Sequence, residues 1–300
     1  MSVVEKAIRK LQDSRQQPGA AAAPLSPQTS SDVQVVEHAS PTVPAAAVAR
    51  APGLTVERAA LRAAGLLPPE EDLSLLTRQY RKIKQPLIAR AIGRGAPRVP
   101  KGYLIMVASA MTGEGKSFTA VNLALSMALE RDLNVLLVDA DVAKPQLSHV
   151  FDRGEAPGLL DALRDPAVEV ESLICPTDLP TLSFLPAGKG SEEATELLAS
   201  DRMQQLAAAL GDRDARRVVL FDSPPLLQTT ESPALAQVAG QIVVVVRAES
   251  TPQPVLLDAL KLLEGHPAVS LVLNQSLRTV TSAYYYYGYG KERASPSGSA

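Results

Sequence analysis

The segment from Tyr103 to Ser117, YLIMVASAMTGEGKS, joins an apolar run to a glycine-rich turn. Tyr103–Ser109 has the length and composition of a buried strand, and the residues from Lys116 onward favour a helix. Between them, Ala110–Ser117 matches the phosphate-loop pattern G-x-x-x-x-G-K-[ST], except that alanine replaces the first glycine. A glycine-rich turn in this context lets backbone N–H groups close around phosphate oxygens. The segment therefore predicts a loop that binds the phosphates of a nucleotide.

Individual residues of this loop have distinct expected contacts with ATP and Mg²⁺. The Lys116 ammonium can reach the β- and γ-phosphates, and the Ser117 hydroxyl can ligate Mg²⁺. Further contacts are expected from the loop backbone and the first helical turn. The predicted ATP-binding residues of this segment are Thr112, Gly113, Glu114, Gly115, Lys116, Ser117 and Phe118.

Acidic residues stand at the ends of two further predicted strands. Asp139 and Asp141 follow one apolar run, and Asp222 follows another. A single aspartate after a strand is usually a turn or capping residue, but three in one domain with a phosphate loop favour metal binding and catalysis. We expect Ser117, Asp139 and Asp222 to hold Mg²⁺, the last of them through a water molecule. The predicted catalytic residues are Lys116, Asp139, Asp141 and Asp222.

Strands and helices alternate from about residue 102 onward. The predicted strands are Tyr103–Ser109, Asn134–Asp139, Thr181–Leu185, Arg217–Asp222, Gln241–Arg247 and Val269–Asn274, and the predicted helices cover about 116–131, 192–210, 232–238 and 253–264. Continuous apolar runs such as Val135–Val138 are typical of parallel strands that are covered on both faces. The predicted fold class is α/β, a phosphate-loop NTPase-type, mostly parallel sheet flanked by helices, with an N-terminal helical extension and a disordered linker and tail.

The chain divides into five predicted segments. They are a short amphipathic helix at 1–13, a disordered Ala/Pro-rich linker at 14–52, a helical module at 53–100, a phosphate-loop domain at 101–280 and a tyrosine-rich flexible tail at 281–300. In the module, Thr55 is expected to cap a helix that ends near Gly65, and a second helix opens at Pro68–Asp72. Pro86 is expected to end or kink this second helix. Its basic residues are Arg78, Arg81, Lys82 and Lys84.

The composition limits the classes of function. A net charge of -2 argues against a general nucleic-acid binder. The single cysteine, Cys175, excludes an intramolecular disulfide, fits a reducing cytosol and is expected to be a small buried residue. No apolar run approaches the ~18 residues that span a bilayer. We therefore expect a cytoplasmic protein that reaches the membrane through a partner.

Tyrosines are concentrated near the C-terminus. Five of the seven tyrosines of the chain lie within six residues, at Tyr284, Tyr285, Tyr286, Tyr287 and Tyr289. A tyrosine-rich edge strand is one interpretation, but the neighbouring glycines and the chain end favour an accessible segment. Phenols on such a segment beside an ATP site would suit phosphoryl acceptors. Since a phenol has a pKa of about 10, a base such as Asp139 would help to remove its proton.

Taken together, these motifs resemble the bacterial tyrosine kinases of exopolysaccharide systems, and among them the exosortase-associated tyrosine autokinases. The resemblance runs from about Leu73 to Gly290. It includes the loop at 113–117, Asp139-x-Asp141, the Asp222-Ser223-Pro224-Pro225 segment and the tyrosine cluster. It implies a phosphate-loop kinase fold and ATP-dependent autophosphorylation of the tyrosine cluster, in trans within a ring of subunits.

The resemblance also implies partners and further roles. It implies a membrane-embedded polysaccharide co-polymerase, or chain-length determinant, as activator, a cognate tyrosine phosphatase and a homo-oligomer at the inner face of the plasma membrane. Asn274 aligns where related ATPases hold adenine. The family's ring-forming helix carries Glu-x-x-Arg-x-x-Arg, and the aligned residues here are Arg78, Arg81 and Lys84, without the acidic member.

Two other functions compete with this one. The first is a partitioning or positioning ATPase of the same fold, but such ATPases carry an additional lysine where this chain has Met111. The second is a scaffold that binds nucleotide within a polysaccharide complex and has no kinase activity. Phosphotyrosine on the tail would separate the kinase from both.

Overall fold

The computed structural model describes residues 51–212, 214 and 216–276. The predicted N-terminal helix, most of the linker and the tyrosine cluster lie outside these residues. The helices are α1 Arg58–Ala63, α2 Leu73–Ile92, α3 Lys116–Met127, α4 Gln146–Val150, α5 Leu159–Arg164, α6 Val170–Leu173, α7 Ala194–Ala199, α8 Asp201–Asp212, α9 Glu231–Val238 and α10 Gln253–Lys261. The strands are β1 Leu104–Ser109, β2 Asn134–Asp139, β3 Cys175–Pro176, β4 Leu182–Leu185, β5 Arg217–Asp222, β6 Gln241–Arg247 and β7 Val269–Asn274.

The strands form one seven-stranded sheet in the order β3-β4-β2-β5-β1-β6-β7. Neighbouring strands are parallel except β3 and β4, which are antiparallel. The predicted mostly parallel α/β sheet is therefore confirmed. Because β1, β2 and β5 are adjacent and parallel, their carboxyl ends meet at one edge, where Asp139 pairs in register with Asp222.

Helices cover both faces of the sheet, as the continuous apolar runs predict. In β1, Leu104, Met106 and Ala108 join one buried cluster, while Ile105 and Val107 join the cluster on the opposite face. All six residues of β1 are buried. The predicted burial of the lone cysteine, Cys175, is also confirmed, since its thiol is free and buried on the second face.

Several boundaries differ from the prediction for local physical reasons. The helix predicted at 192–210 is divided into α7 and α8, because Ser200 has an extended backbone with ψ 157° and its hydroxyl accepts a hydrogen bond from Met203 N. The strand β3 and the helices α4, α5 and α6 were not predicted. Each of them has at most six residues, so none repeats its apolar pattern often enough to be recognised.

The predicted cap at Thr55 is wrong, although the first module helix does end near Gly65. The helix begins at Arg58 after Glu57, and no side chain caps it. Thr55 instead belongs to an extended segment. Its neighbours Leu54 and Val56 are buried, Leu54 bridges to Thr177, and Val56 N donates to Asp178 Oδ1 at 2.9 Å.

Pro86 does not end the second module helix, because α2 continues to Ile92. The side of the helix that holds Pro86 is exposed, so water can replace the hydrogen bond that a proline cannot donate. On the other side, Tyr80, Leu87 and Ile88 are buried in the cluster that also contains α3. Packing against the sheet domain therefore maintains the helix through the proline.

A buried lysine connects α2 to the phosphate-loop helix α3. Lys84 Nζ donates to Ser126 O at 2.5 Å and lies 2.8 Å from Glu130 Oε1. Ser126 is in the last turn of α3, where carbonyl groups lack helical partners. Lys84 therefore provides a hydrogen-bond donor for a carbonyl group in the last turn of α3, the helix that begins with Lys116 and Ser117.

We expect Lys84→Ala to lower the free energy of unfolding by about 2 kcal/mol, because it removes a charged hydrogen bond and buried methylene groups. Lys82→Ala, on an exposed position of the same helix, should change it by less than ~0.5 kcal/mol. Urea unfolding of both variants measures the difference. Equal urea midpoints for the Lys84→Ala and Lys82→Ala variants would show that Lys84 does not stabilise the contact between α2 and α3.

Candidate active site

The phosphate loop lies between β1 and α3 and has two glycines in the left-handed region. Gly113 has φ 81° and Gly115 has φ 95°, a conformation that costs little only for glycine. A Cβ atom on Gly115 would lie 2.1 Å from Asn274 Nδ2. Gly115 is therefore required by its backbone conformation, and the Asn274 side chain occupies the space that a larger residue would fill.

The side chain of Glu114 lies inside the loop and is buried. Its Oε2 accepts a hydrogen bond from Met111 N at 2.8 Å, and its Oε1 accepts one from the Thr251 hydroxyl. The Glu114 carbonyl accepts from Asn274 Nδ2 at 2.9 Å. Glu114, predicted to bind ATP, thus uses its carboxylate to hold the loop. The amide nitrogen of Asn274, predicted to contact adenine, is bonded to the loop as well.

A third side chain, that of Gln228, reaches the loop from the segment after β5. Thr112 N donates to Gln228 Oε1 at 3.1 Å. Neither Gln228 nor Thr251 was predicted as a site residue. Both lie more than one hundred positions from the loop, 116 and 137 residues from their partners, so no local pattern identifies them.

The ammonium of Lys116 is surrounded by the carboxylates at the strand ends. Lys116 Nζ lies 2.6 Å from Asp141 Oδ2, 4.0 Å from Asp222 Oδ1 and 3.2 Å from Ser117 Oγ. Burial alone would lower the pKa of Lys116, but the charges of Asp222 and Asp141 outweigh it and raise that pKa above the usual value. Lys116 is therefore a cation whose position is set by two acids.

Asp139 is buried more deeply than Asp141. One oxygen of Asp139 accepts from Ser148 N at 2.7 Å and from Ser148 Oγ at 2.8 Å, while Oδ1 has no hydrogen-bond partner. Burial, reinforced by the charge of Asp222, raises the pKa of Asp139 to about 7. Burial also raises the pKa of Asp222 to about 6, although Lys116 and Ser117 act in the opposite direction. The pKa values of two carboxyl groups at this edge of the sheet therefore lie close to neutral pH.

A cleft of about 1440 Å³ opens over the loop. Lys116, Ser117 and Asp141 line it, whereas Asp139 and Asp222 do not. Phe118, predicted to contact ATP, also lines it. Its volume exceeds the ~300–1,000 Å³ of an ordinary small-ligand pocket. The space can accommodate a second group beside a nucleotide.

The helical module forms one wall of this cleft, a contribution that the sequence did not reveal. The wall consists of the turn at 64–69 and one side of α2, including Leu75, Leu76, Gln79, Lys82 and Ile83. Residues 271–276 line it as well. The site is therefore built from both the module and the sheet domain.

Comparison with known proteins gives the family. A model of the CobQ/CobB/MinD/ParA nucleotide binding domain matches residues 105–264. The tyrosine-protein kinase YwqD of Bacillus subtilis is 31% identical over 221 residues, which cover 73% of this chain and 89% of YwqD. The chain belongs to the bacterial tyrosine-protein kinase family.

Other members of the family extend this comparison. EpsB of Ralstonia nicotianae is 34% identical over 188 residues, 62% of this chain, but the match covers only 24% of EpsB. The chain thus spans about a quarter of the length of that relative. The kinase domain of VpsO has a TM-score of 0.56 and 27% identity, over 69% of this chain and 100% of the VpsO domain. The predicted family and its nucleotide-binding fold are confirmed.

The residues of α2 that align with the family's ring-forming motif differ in their exposure. Among them, Lys84 is buried and hydrogen-bonded to α3, whereas Arg78 and Arg81 are exposed.

No helix within the described ranges is long and apolar enough to cross a membrane. The tail tyrosines, Tyr284–Tyr287 and Tyr289, lie outside the described residues.

We expect Thr251→Val to weaken ATP binding about tenfold, since the loss of a hydrogen bond to the Glu114 carboxylate corresponds to roughly 1.5 kcal/mol. Thr251→Ser keeps the hydroxyl and should bind ATP as the wild-type chain does. Titration calorimetry with ATP and Mg²⁺ compares the three proteins. Equal affinity of the valine variant would show that Thr251 does not position the loop.

Proposed function

We propose that this chain is an ATP-dependent protein-tyrosine autokinase whose phosphoryl acceptors are Tyr284, Tyr285, Tyr286, Tyr287 and Tyr289. The observation that carries the proposal is the charged cluster on the floor of the cleft. Lys116 is held 2.6 Å from Asp141 on the floor of an open cleft of about 1440 Å³. A site that only hydrolyses ATP needs room for one water molecule beside the γ-phosphate, whereas a tyrosine acceptor needs room for a side chain.

The residues present fit ATP and Mg²⁺. The left-handed conformations of Gly113 and Gly115 are of the kind found in turns whose successive backbone N–H groups bind an anion. Asp139 Oδ1 and Asp222 Oδ1 are buried without a hydrogen-bond partner, a costly arrangement that a cation would relieve. With Ser117 they are the proposed Mg²⁺ ligands, directly or through water. In the described ranges no three acidic, histidine or cysteine side chains are arranged to hold a metal alone, so phosphate and water would supply the other ligands.

Each residue then has a distinct role in transfer. Mg²⁺, when bound, neutralises charge on the phosphates. Lys116 contacts the β- and γ-phosphates and so leaves its ion pair with Asp141. Asp141 lines the cleft, whereas Asp139 is buried more deeply and does not, so Asp141 is the better placed base. The phenol oxygen bonds to the γ-phosphorus as its proton passes to Asp141, the bond from that phosphorus to the bridging oxygen breaks, and ADP leaves.

The biological setting of the proposal comes from the family resemblance. It is the control of exopolysaccharide synthesis or export by a cytoplasmic homo-oligomer. A membrane-embedded polysaccharide co-polymerase would recruit and activate the chain, and a cognate tyrosine phosphatase would reset it. The net charge of -2 supports the absence of a nucleic-acid partner.

The direct test replaces the five tail tyrosines with phenylalanine and compares this variant with the wild-type chain after incubation with ATP and Mg²⁺. Wild type should gain phosphate, and the variant should gain none while it binds ATP with unchanged affinity. Equal phosphate on both proteins would show that the acceptors lie elsewhere. Hydrolysis of ATP without phosphate on either protein would instead identify an ATPase, and binding without hydrolysis would identify a scaffold.

A further inference from the structure

Three exposed cations form a stripe on α2. Arg78 and Lys82 are four positions apart and Arg81 lies three positions after Arg78, so their side chains are neighbours on the helix surface. All three are exposed, and none of them forms an ion pair within the described part of the chain. Lys84, by contrast, is buried and paired with Glu130. We call Arg78, Arg81 and Lys82 the basic stripe.

The basic stripe borders the cleft at which the described chain ends. Lys82 lines the cleft together with Gln275 and Ser276. The first tail tyrosine, Tyr284, follows Ser276 by eight positions. At ~3.3 Å per residue this connection spans up to about 26 Å, while the basic stripe from Arg78 to Lys82 extends only ~6 Å along its helix. Because Ser276 and Lys82 line the same cleft, a connection of this length can bring Tyr284 to the Lys82 end of the stripe in its own chain.

Phosphorylation would reverse the charge of the tail. Residues 277–300 carry three basic side chains, Arg278, Lys291 and Arg293, and one acidic side chain, Glu292. Five phosphotyrosines would add a charge of about −8 to −10. Arginine binds phosphate through two parallel hydrogen bonds, and lysine binds it as a point charge.

We propose that the basic stripe is a docking site for the phosphorylated tyrosine segment, residues 284–289, of the same chain. This inference rests on the proposed function, because it requires phosphate on the tail. The unphosphorylated tail, which is basic, is repelled by the stripe. Phosphorylation therefore both modifies the tail and gives it a binding site beside the cleft, and the docked tail occupies the exposed side of α2.

Acidic residues that precede α2 limit the part of the helix at which phosphate can bind. Glu70, Glu71 and Asp72 precede α2, and Glu70 is paired with Arg62 at 3.0 Å. Asp72 is six positions before Arg78, almost two helical turns away. These acids leave the positive potential centred on residues 78–82 and disfavour phosphate at the start of the helix.

The test measures binding separately from kinase activity. The full chain with its five tail tyrosines replaced by phenylalanine is titrated with a synthetic peptide of residues 277–300 that carries five phosphotyrosines. A triple variant, Arg78→Gln, Arg81→Gln and Lys82→Gln, is compared with a control of equal charge change, Arg58→Gln, Arg131→Gln and Lys189→Gln, at exposed positions elsewhere. The tyrosine form of the peptide is titrated in parallel.

The phosphopeptide should bind the parent and the control with equal affinity, bind the stripe variant at least tenfold more weakly, and bind less tightly as salt rises. A short tether gives an effective concentration of about 1 mM, so a dissociation constant above that value would overturn docking. Equal binding to the stripe variant, or equal binding of the tyrosine peptide, would also overturn it. So would a stripe variant that changes only the oligomeric state, since the stripe would then be an interface between copies. Because the peptide is made synthetically, failure of self-phosphorylation leaves this result unaffected.

Discussion

Lys116→Met is expected to reduce phosphate transfer by about 10²–10³-fold, the usual effect of removing one group that stabilises charge in a transition state. Lys116 is the cation on the floor of the cleft, and its ammonium is the group proposed to contact the β- and γ-phosphates. Labelling with radioactive ATP measures the loss. Lys261→Met is the control, because Lys261 also pairs with an aspartate, Asp258 at 2.7 Å, but at an exposed position outside the cleft.

The same substitution also has a structural effect. Lys116 lies between Asp141 and Asp222, so its removal leaves two acids close together without their cation. The pKa of Asp222, already raised by burial to about 6, should rise further. We therefore expect a folded variant in which the Asp222 carboxyl group takes up a proton near neutral pH. A variant that is folded by circular dichroism and still labels at the parent rate would show that Lys116 has no part in transfer.

Asp139→Asn is expected to stabilise the nucleotide-free chain at pH 8 and to abolish transfer. Burial raises the folded-state pKa of Asp139 from 3.8 to about 7. Between these values the folded state binds more protons than the unfolded state, so the contribution of Asp139 to stability is full below about pH 4 and is lost as the pH rises through 7. Asparagine removes the buried charge and can still accept the hydrogen bonds from Ser148. Transfer is lost because a proposed Mg²⁺ ligand is neutralised.

Thermal unfolding without Mg²⁺ or nucleotide tests the sign of this effect. The asparagine variant should melt at least ~3 °C above wild type at pH 8, which corresponds to roughly 1 kcal/mol for a domain of this size, and the difference should shrink toward pH 5. Asp214→Asn is a control for which the opposite change in thermal stability is expected. Burial would raise the pKa of Asp214, but hydrogen bonds from Asn134 and the Arg216 backbone outweigh it and lower that pKa. Loss of the Asp214 carboxylate should therefore destabilise the chain above pH 5. An Asp139→Asn variant less stable than wild type at pH 8 would contradict the account.

The parts of the site that could be predicted are those encoded within one strand–loop–helix unit. The segment 103–117 contains the strand, both left-handed glycines and the lysine in consecutive positions. Asp139 and Asp222 were predictable as neighbours because parallel adjacent strands bring their carboxyl ends together. Local patterns and one topological rule are sufficient for these features.

The parts that could not be predicted depend on contacts between distant residues. Thr251 reaches Glu114 across 137 positions, and Gln228 reaches Thr112 across 116. The burial difference between Asp139 and Asp141, two positions apart, follows from Ser148 and the cleft rather than from their own sequence. Likewise, Pro86 is a helix breaker by local rules, and only packing of Tyr80 and Leu87 on the sheet domain explains why α2 continues.

Phosphotyrosine mapping by mass spectrometry, on the full chain after incubation with ATP and Mg²⁺, shows whether the chain phosphorylates its own tyrosine cluster. Phosphate is expected on the peptide that contains Tyr284–Tyr289, and about 10²–10³-fold less is expected on the same peptide from the Lys116→Met variant. The absence of phosphotyrosine from the wild-type peptide, even with the cytoplasmic segment of a co-polymerase partner added, would contradict the proposed function.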